Sequence, residues 1–107
     1  MPVAQPEADI ARRITERLVD AALIKNYRIT VFDEEDLALP QTTDRTAIMG
    51  VLFSTDMEIL ELHTSAGQRL GSITLLYENG SDVISAYTDN EEIESLCDDV
   101  LSELGLG

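Results

Sequence analysis

The sequence predicts an α+β fold, with helices packed on a mainly antiparallel sheet of three to five strands in the order α-β-(β)-α-β-β-β-α. Three observations predict it. Ile93, Leu96, Cys97, Val100, Leu101 and Leu104 recur at steps of three and four, the apolar stripe of a C-terminal helix. Two turn sequences, Ser65-Ala66-Gly67-Gln68 and Asn79-Gly80, divide residues 57–87 into a three-stranded meander. The 107 residues, 44% of them apolar, suit a single domain with a real core.

Each element has its own warrant. Residues 1–5 read as a short flexible tail. Pro6 suits a first helical position, and Glu7 and Asp9 favour the positive end of a helix dipole. Ile10, Ile14, Leu18, Ala21 and Ala22 then mark one helix face to about Lys25, and Asn26 is a stop. Tyr27, Ile29 and Val31 alternate with Arg28 and Thr30 in a strand ending at Phe32. The acidic run Asp33, Glu34, Glu35, Asp36 follows. Leu37-Ala38-Leu39 makes a short second strand that Pro40 closes.

Thr42, Thr43 and Asp44 offer caps for a central helix to about Phe53, carried by Ala47, Ile48, Val51 and Leu52. The meander strands are Met57–Thr64, Leu70–Glu78 and Asp82–Tyr87. They carry apolar residues on both faces, which implies a sheet covered on both sides or lightly on one. Tyr77 and Tyr87 are expected as neighbours across the Asn79-Gly80 hairpin. Thr88, Asp89 and Asn90 offer caps for the last helix; Thr88 with Glu91, or Asp89 with Glu92, has capping-box spacing, and Gly105 ends it.

Charge narrows the function classes. Twenty-one acids against seven bases give −14. Residues 1–28 hold five bases and four acids, whereas residues 29–107 hold two bases and seventeen acids. Phosphate-binding surfaces need Lys and Arg, so direct nucleic-acid binding is not expected. A basic partner would be steered in. Solubility or a saline habitat explains such acidity equally well. The apolar runs are too short to span a membrane. With no basic segment leading into an apolar one at the start, a cytoplasmic location is expected.

Glu91, Glu94 and Asp98 fall on one face of the last helix, about 4.5 and 6 Å apart along its axis. With Asp99 they form a row that could enter a groove built for phosphates. Asp33, Glu34, Glu35 and Asp36 form a second acidic patch. That run lacks the spacing of an EF-hand loop, and no metal site is assigned to it. One Cys and one His cannot fill a structural zinc site without carboxylates. A Cys97–His63 pair would need the apolar stripe to open. No phosphate loop, cofactor motif or catalytic set is present, so a non-enzymatic protein is expected.

Val31-Phe32-Asp33-Glu34-Glu35, Thr42-Thr43-Asp44-Arg45, Phe53-Ser54-Thr55-Asp56 and Ile84 to Asn90 resemble pieces of small acidic proteins of phages and prophages. Relatives often carry an aromatic residue after the acidic run, where Leu37 stands nearby here. The resemblance implies a phage context, in which such proteins inhibit host systems that bind nucleic acid. The leading expectation is therefore a protein whose carboxylates block the basic channel of a partner, such as an anti-CRISPR or anti-restriction inhibitor. The alternative is an adaptor or structural module that uses the sheet face and Tyr residues, its acidity serving solubility. A small metal-dependent enzyme using Asp33–Asp36 is the remote third. A homodimer is left open, with the base-rich first helix docking on acids of a second copy or of its own chain.

Overall fold

The computed structural model describes residues 6–34 and 36–105; the tail expected over residues 1–5, and Glu35 of the acidic run, lie outside the described residues. The helices are α1 (Pro6–Ile24), α2 (Arg45–Val51) and α3 (Glu91–Glu103). The strands are β1 (Arg28–Asp33), β2 (Asp36–Thr42), β3 (Met57–His63), β4 (Arg69–Leu76) and β5 (Ile84–Tyr87). They form one antiparallel sheet in the order β2-β1-β3-β4-β5. The fold is α+β, as its hydrophobic periods require.

One face of the sheet makes the core. Ile29, Val31, Leu60, Leu62, Ile73 and Leu75 are buried there against Ala11, Ile14, Leu18 and Ala22 of α1, Ile48 of α2, and Ile93, Leu96 and Val100 of α3. Alternation along each strand sends Thr30, Phe32, Met57, Ile59, Glu61, Ser72, Thr74 and Leu76 to the other face. No helix among the described residues packs there. The apolar residues read on both faces are thus a sheet covered on one side only.

α1 stops where Asn26 takes φ 65°, a left-handed turn that Asn tolerates. One of its bases, Arg17, docks on another element of its own chain. Arg17 Nη2 donates to both carboxylate oxygens of Glu103 of α3, at 2.7 and 2.8 Å. Asp20 of α1 receives Arg45 of α2. The three helices are thereby tied together at the surface.

Two expectations fail locally. Asn79-Gly80 is not a two-residue hairpin. Residues Tyr77–Asp82 form a 3-10 segment with a kink at Gly80, and the sheet resumes only at Ile84. Val83 and Gly80 are buried in this connection. Closing it also separates the two tyrosines: Tyr87 pairs with Ile73, while Tyr77 turns back toward Phe53, ring centres 5.1 Å apart. The second failure is β2, which runs through Pro40 to Thr42. An edge strand can lose one N–H to the solvent side, so Pro40 does not end it.

Glu58 is the buried charge of this fold, with no exposed surface. Its carboxylate accepts from Phe53 N–H at 2.7 Å, Ser54 N–H at 3.3 Å and the Tyr77 hydroxyl at 2.5 Å. The Ser54 hydroxyl lies 2.9 Å away. Phe53 sits at φ 66°, a strained region for an aromatic residue, and its bond to Glu58 holds it there. Replacing Glu58 with Ala would leave these donors unpaired around a void. Urea unfolding of Glu58→Ala is expected to show a loss of about 3 kcal/mol or more.

Candidate functional site

The acidic row of α3 is built by what holds the helix down. Asn90 is the N-cap; its side-chain oxygen accepts from Ile93 N–H at 2.9 Å, and its amide donates to Leu70 C=O at 2.8 Å. One residue thus caps α3 and ties it to β4. Neither expected capping box supplies this cap, because Asn90 outreaches Thr88 and Asp89. Thr88 is spent on the sheet, its Oγ1 accepting from Ser72 N–H at 2.9 Å. Close approach at Gly71 completes the seat: a Cβ there would stand 2.7 Å from Thr88 Cβ and 3.1 Å from Ile93 Cγ1.

With Ile93, Leu96, Cys97 and Val100 turned inward, Glu91, Glu94, Asp98 and Asp99 are all exposed. They line a shallow open groove with Asp89, Asn90 and Ser95. None of the four carboxylates makes an ion pair among the described residues. Lys25 and Glu91 line a neighbouring hollow, so the row has one base at its N-terminal end. Glu103, one turn beyond Asp99, is taken by Arg17. The Tyr87 hydroxyl beside the row is pushed up by partial desolvation and by the charges of Glu94 and Asp98.

The second patch lies apart. Asp33 and Asp36 face each other across the β1–β2 turn, where Glu34 takes φ 55°. Asp36 and Glu34 are exposed and Asp33 is half-buried. This turn sits at the β2 edge, beside the start of β3. The α3 N-terminus instead sits over β4, beside Leu70 at the opposite end of the strands. The two patches therefore do not form one surface. No group of three His, Cys, Asp or Glu among the described residues could hold a metal ion.

His63 and Cys97 are separated by the sheet. His63 lies on the open face, its Nε2 3.2 Å from Glu61 Oε1 and 3.2 Å from Thr30 Oγ1. Arg69 Nε bonds the other Glu61 oxygen at 3.2 Å. Cys97 is buried in the core, where desolvation and then Asp98 push its thiol up to about 12. A cleft between α1 and the 3-10 segment is lined by Arg12, Phe53, Asp56, Tyr77 and Glu78. Arg12 lies over the Phe53 ring at 4.6 Å, and burial together with Glu58 raises Tyr77 far above the usual phenol range. Arg12 is thus engaged with Phe53, and Tyr77 with Glu58.

Sequence reasoning missed Glu58. Its parity was the available sign, since it shares a strand face with Leu60 and Leu62. Among the described residues, no helix is long and apolar enough to cross a membrane. Comparison with known protein families, curated proteins and solved structures gives no match.

Two outcomes follow from this packing. Gly71→Ala is expected to lower stability by about 1–3 kcal/mol in urea unfolding, because Thr88 must move to admit the methyl group. At pH 8 the buried Cys97 should react with iodoacetamide roughly 10³-fold more slowly than a small thiol, with full reactivity restored in denaturant.

Proposed function

We propose that this chain is a non-enzymatic binding protein whose α3 carboxylates occupy the basic, nucleic-acid-binding surface of a partner protein. The observation that carries the reading is the unpaired state of Glu94, Asp98 and Asp99, in a chain whose Arg17, Arg45 and Arg69 are all engaged by other acids. Part of the row has a local purpose, because Glu91, Glu92 and Glu94 in the first turn complement the helix dipole. Asp98 and Asp99 stand too far along the helix for that. Mid-helix Asp is unfavourable by about 0.7 kcal/mol relative to Ala, so their presence on an exposed face costs stability without a return inside the fold.

The mechanism is competition. Lys and Arg side chains of the partner would meet carboxylates where they otherwise meet phosphates. The resemblance to small acidic phage proteins makes nucleases of host defence, restriction enzymes and CRISPR complexes, the partners to try first. The reading is then a phage anti-defence inhibitor acting in the host cytoplasm, with no cofactor. The Asp33–Asp36 turn, being distant, would at most contact a separate part of that partner.

The test is protection of plasmid DNA from a panel of such nucleases. Inhibition of at least one is expected, falling steeply between about 50 and 200 mM salt as the charges are screened. Glu94→Lys with Asp98→Lys should raise the inhibitor concentration needed by about tenfold or more, with an unchanged circular dichroism spectrum. Inhibition that survives the double reversal, or nucleases untouched throughout the panel, would overturn the reading.

A further inference from the structure

The face of the sheet that no helix covers differs in charge from the rest of the molecule. The register places Leu37, Phe32, Ile59, Thr74 and Ala86 in one row across all five strands. Leu37 is 57% exposed, and Phe32 and Ile59 are half-buried without packing on the core. Met57 and Leu76 pair beside this row. The charged side chains on the face are Arg28, Glu61 and Arg69, and Glu61 is neutralised by Arg69. A chain of net charge −14 thus keeps one near-neutral, partly apolar surface.

We infer that this surface is the contact of a two-fold dimer, in which the open faces of two sheets stack on each other. The charge distribution selects a second copy. Approach through α3 or the β1–β2 turn sets carboxylates against carboxylates, whereas approach through this face does not. The shape also selects it. β3 is the central strand, so a two-fold axis parallel to the strands passes beside Ile59 and reverses the row on the facing sheet. Leu37 then lies over Ala86 of the second copy, Phe32 over Thr74, and Ile59 meets its own mate. Large side chains fall opposite small ones, as close packing of stacked sheets requires.

The size is sufficient. Five strands about 4.8 Å apart and about six residues long give a face of roughly 500 Å². Two such faces bury roughly 1,000 Å², about the threshold for a biological interface and the size of a weak, reversible one. Ser72 and the Glu61–Arg69 pair would form the wet rim. Both α3 rows remain outside, pointing away from the contact, so the dimer would carry two separate acidic ridges. This inference does not depend on what those ridges bind.

Sedimentation equilibrium over a dilution series tests it, at low and at high salt. The expected result is a mass of twice 11.8 kDa that persists or tightens at high salt, since screening reduces repulsion between the copies. Ile59→Lys should weaken association by about 100-fold or more, because it sets two cations at the axis. Leu37→Lys, on an exposed edge position outside the core, should weaken it less while leaving the circular dichroism spectrum unchanged. A monomer at every concentration would overturn the inference. So would a dimer that dissolves at high salt, which is the behaviour of α1 bases docked on the acids of a second copy. A dimer indifferent to both substitutions would place the contact elsewhere and overturn it too.

Discussion

A single carboxylate, Glu58, fixes the junction from which the rest of the fold is hung. It ends α2 by capturing the Phe53 and Ser54 amides, and it begins β3. Through the Tyr77 hydroxyl it also fixes where the 3-10 segment leaves β4. The end of α2, the start of β3 and the more distant Tyr77 thus meet on one side chain. A buried charge without a cation partner is tolerated only when several donors surround it. Those donors are the Phe53 and Ser54 amides and the Tyr77 hydroxyl. The 3-10 segment then carries Val83 under α1, and β5 follows in register beside β4. The seat of α3 depends on that register, because Thr88 and Asn90 both bond β4.

Two of the chain's seven bases hold helices together. Arg17 crosses from α1 to α3, and Arg45 crosses from α2 to α1. Each such pair is exposed, and each adds only a few tenths of a kcal/mol. Their larger effect is on what remains. Pairing removes Glu103 and Asp20 from the acidic surface and leaves the middle of α3 uncompensated. The ridge is therefore a residue of the fold's own electrostatics, set by which acids lie within reach of an arginine.

The sequence was most legible where hydrophobic period and caps agreed. The α3 stripe, the α1 face with its Asn26 stop, and the alternation of β1 all match the structure within a residue or two. These elements depend on local pattern and burial, which a sequence displays. Asn79-Gly80 was misleading because its turn preference is weaker than the pull of Glu58 on Tyr77 and of the core on Val83. Neither is visible in the two residues themselves. Pro40 misled for a similar reason, since its meaning depends on whether the strand is at an edge. Of the acidic site, the helical row of Glu91, Glu94, Asp98 and Asp99 was legible from spacing. That Glu94, Asp98 and Asp99 make no ion pair among the described residues was not, because Arg17 reaches across to Glu103 instead.

The two surfaces set apart in this protein constrain each other. A sheet with helices on one side must expose its second face or bury it against something. In a strongly acidic molecule the usual remedy, placing more acids on that face, was available at every outward position. The face instead carries Phe32, Ile59, Met57 and Leu76, with its one acid neutralised by Arg69. Exposed apolar side chains in a row favour association, while a net charge of −14 opposes it. These pressures conflict least where charge is kept off that face. The exposed carboxylates accordingly stand on α3 and at the β1–β2 turn, with the near-neutral row on the open face of the sheet.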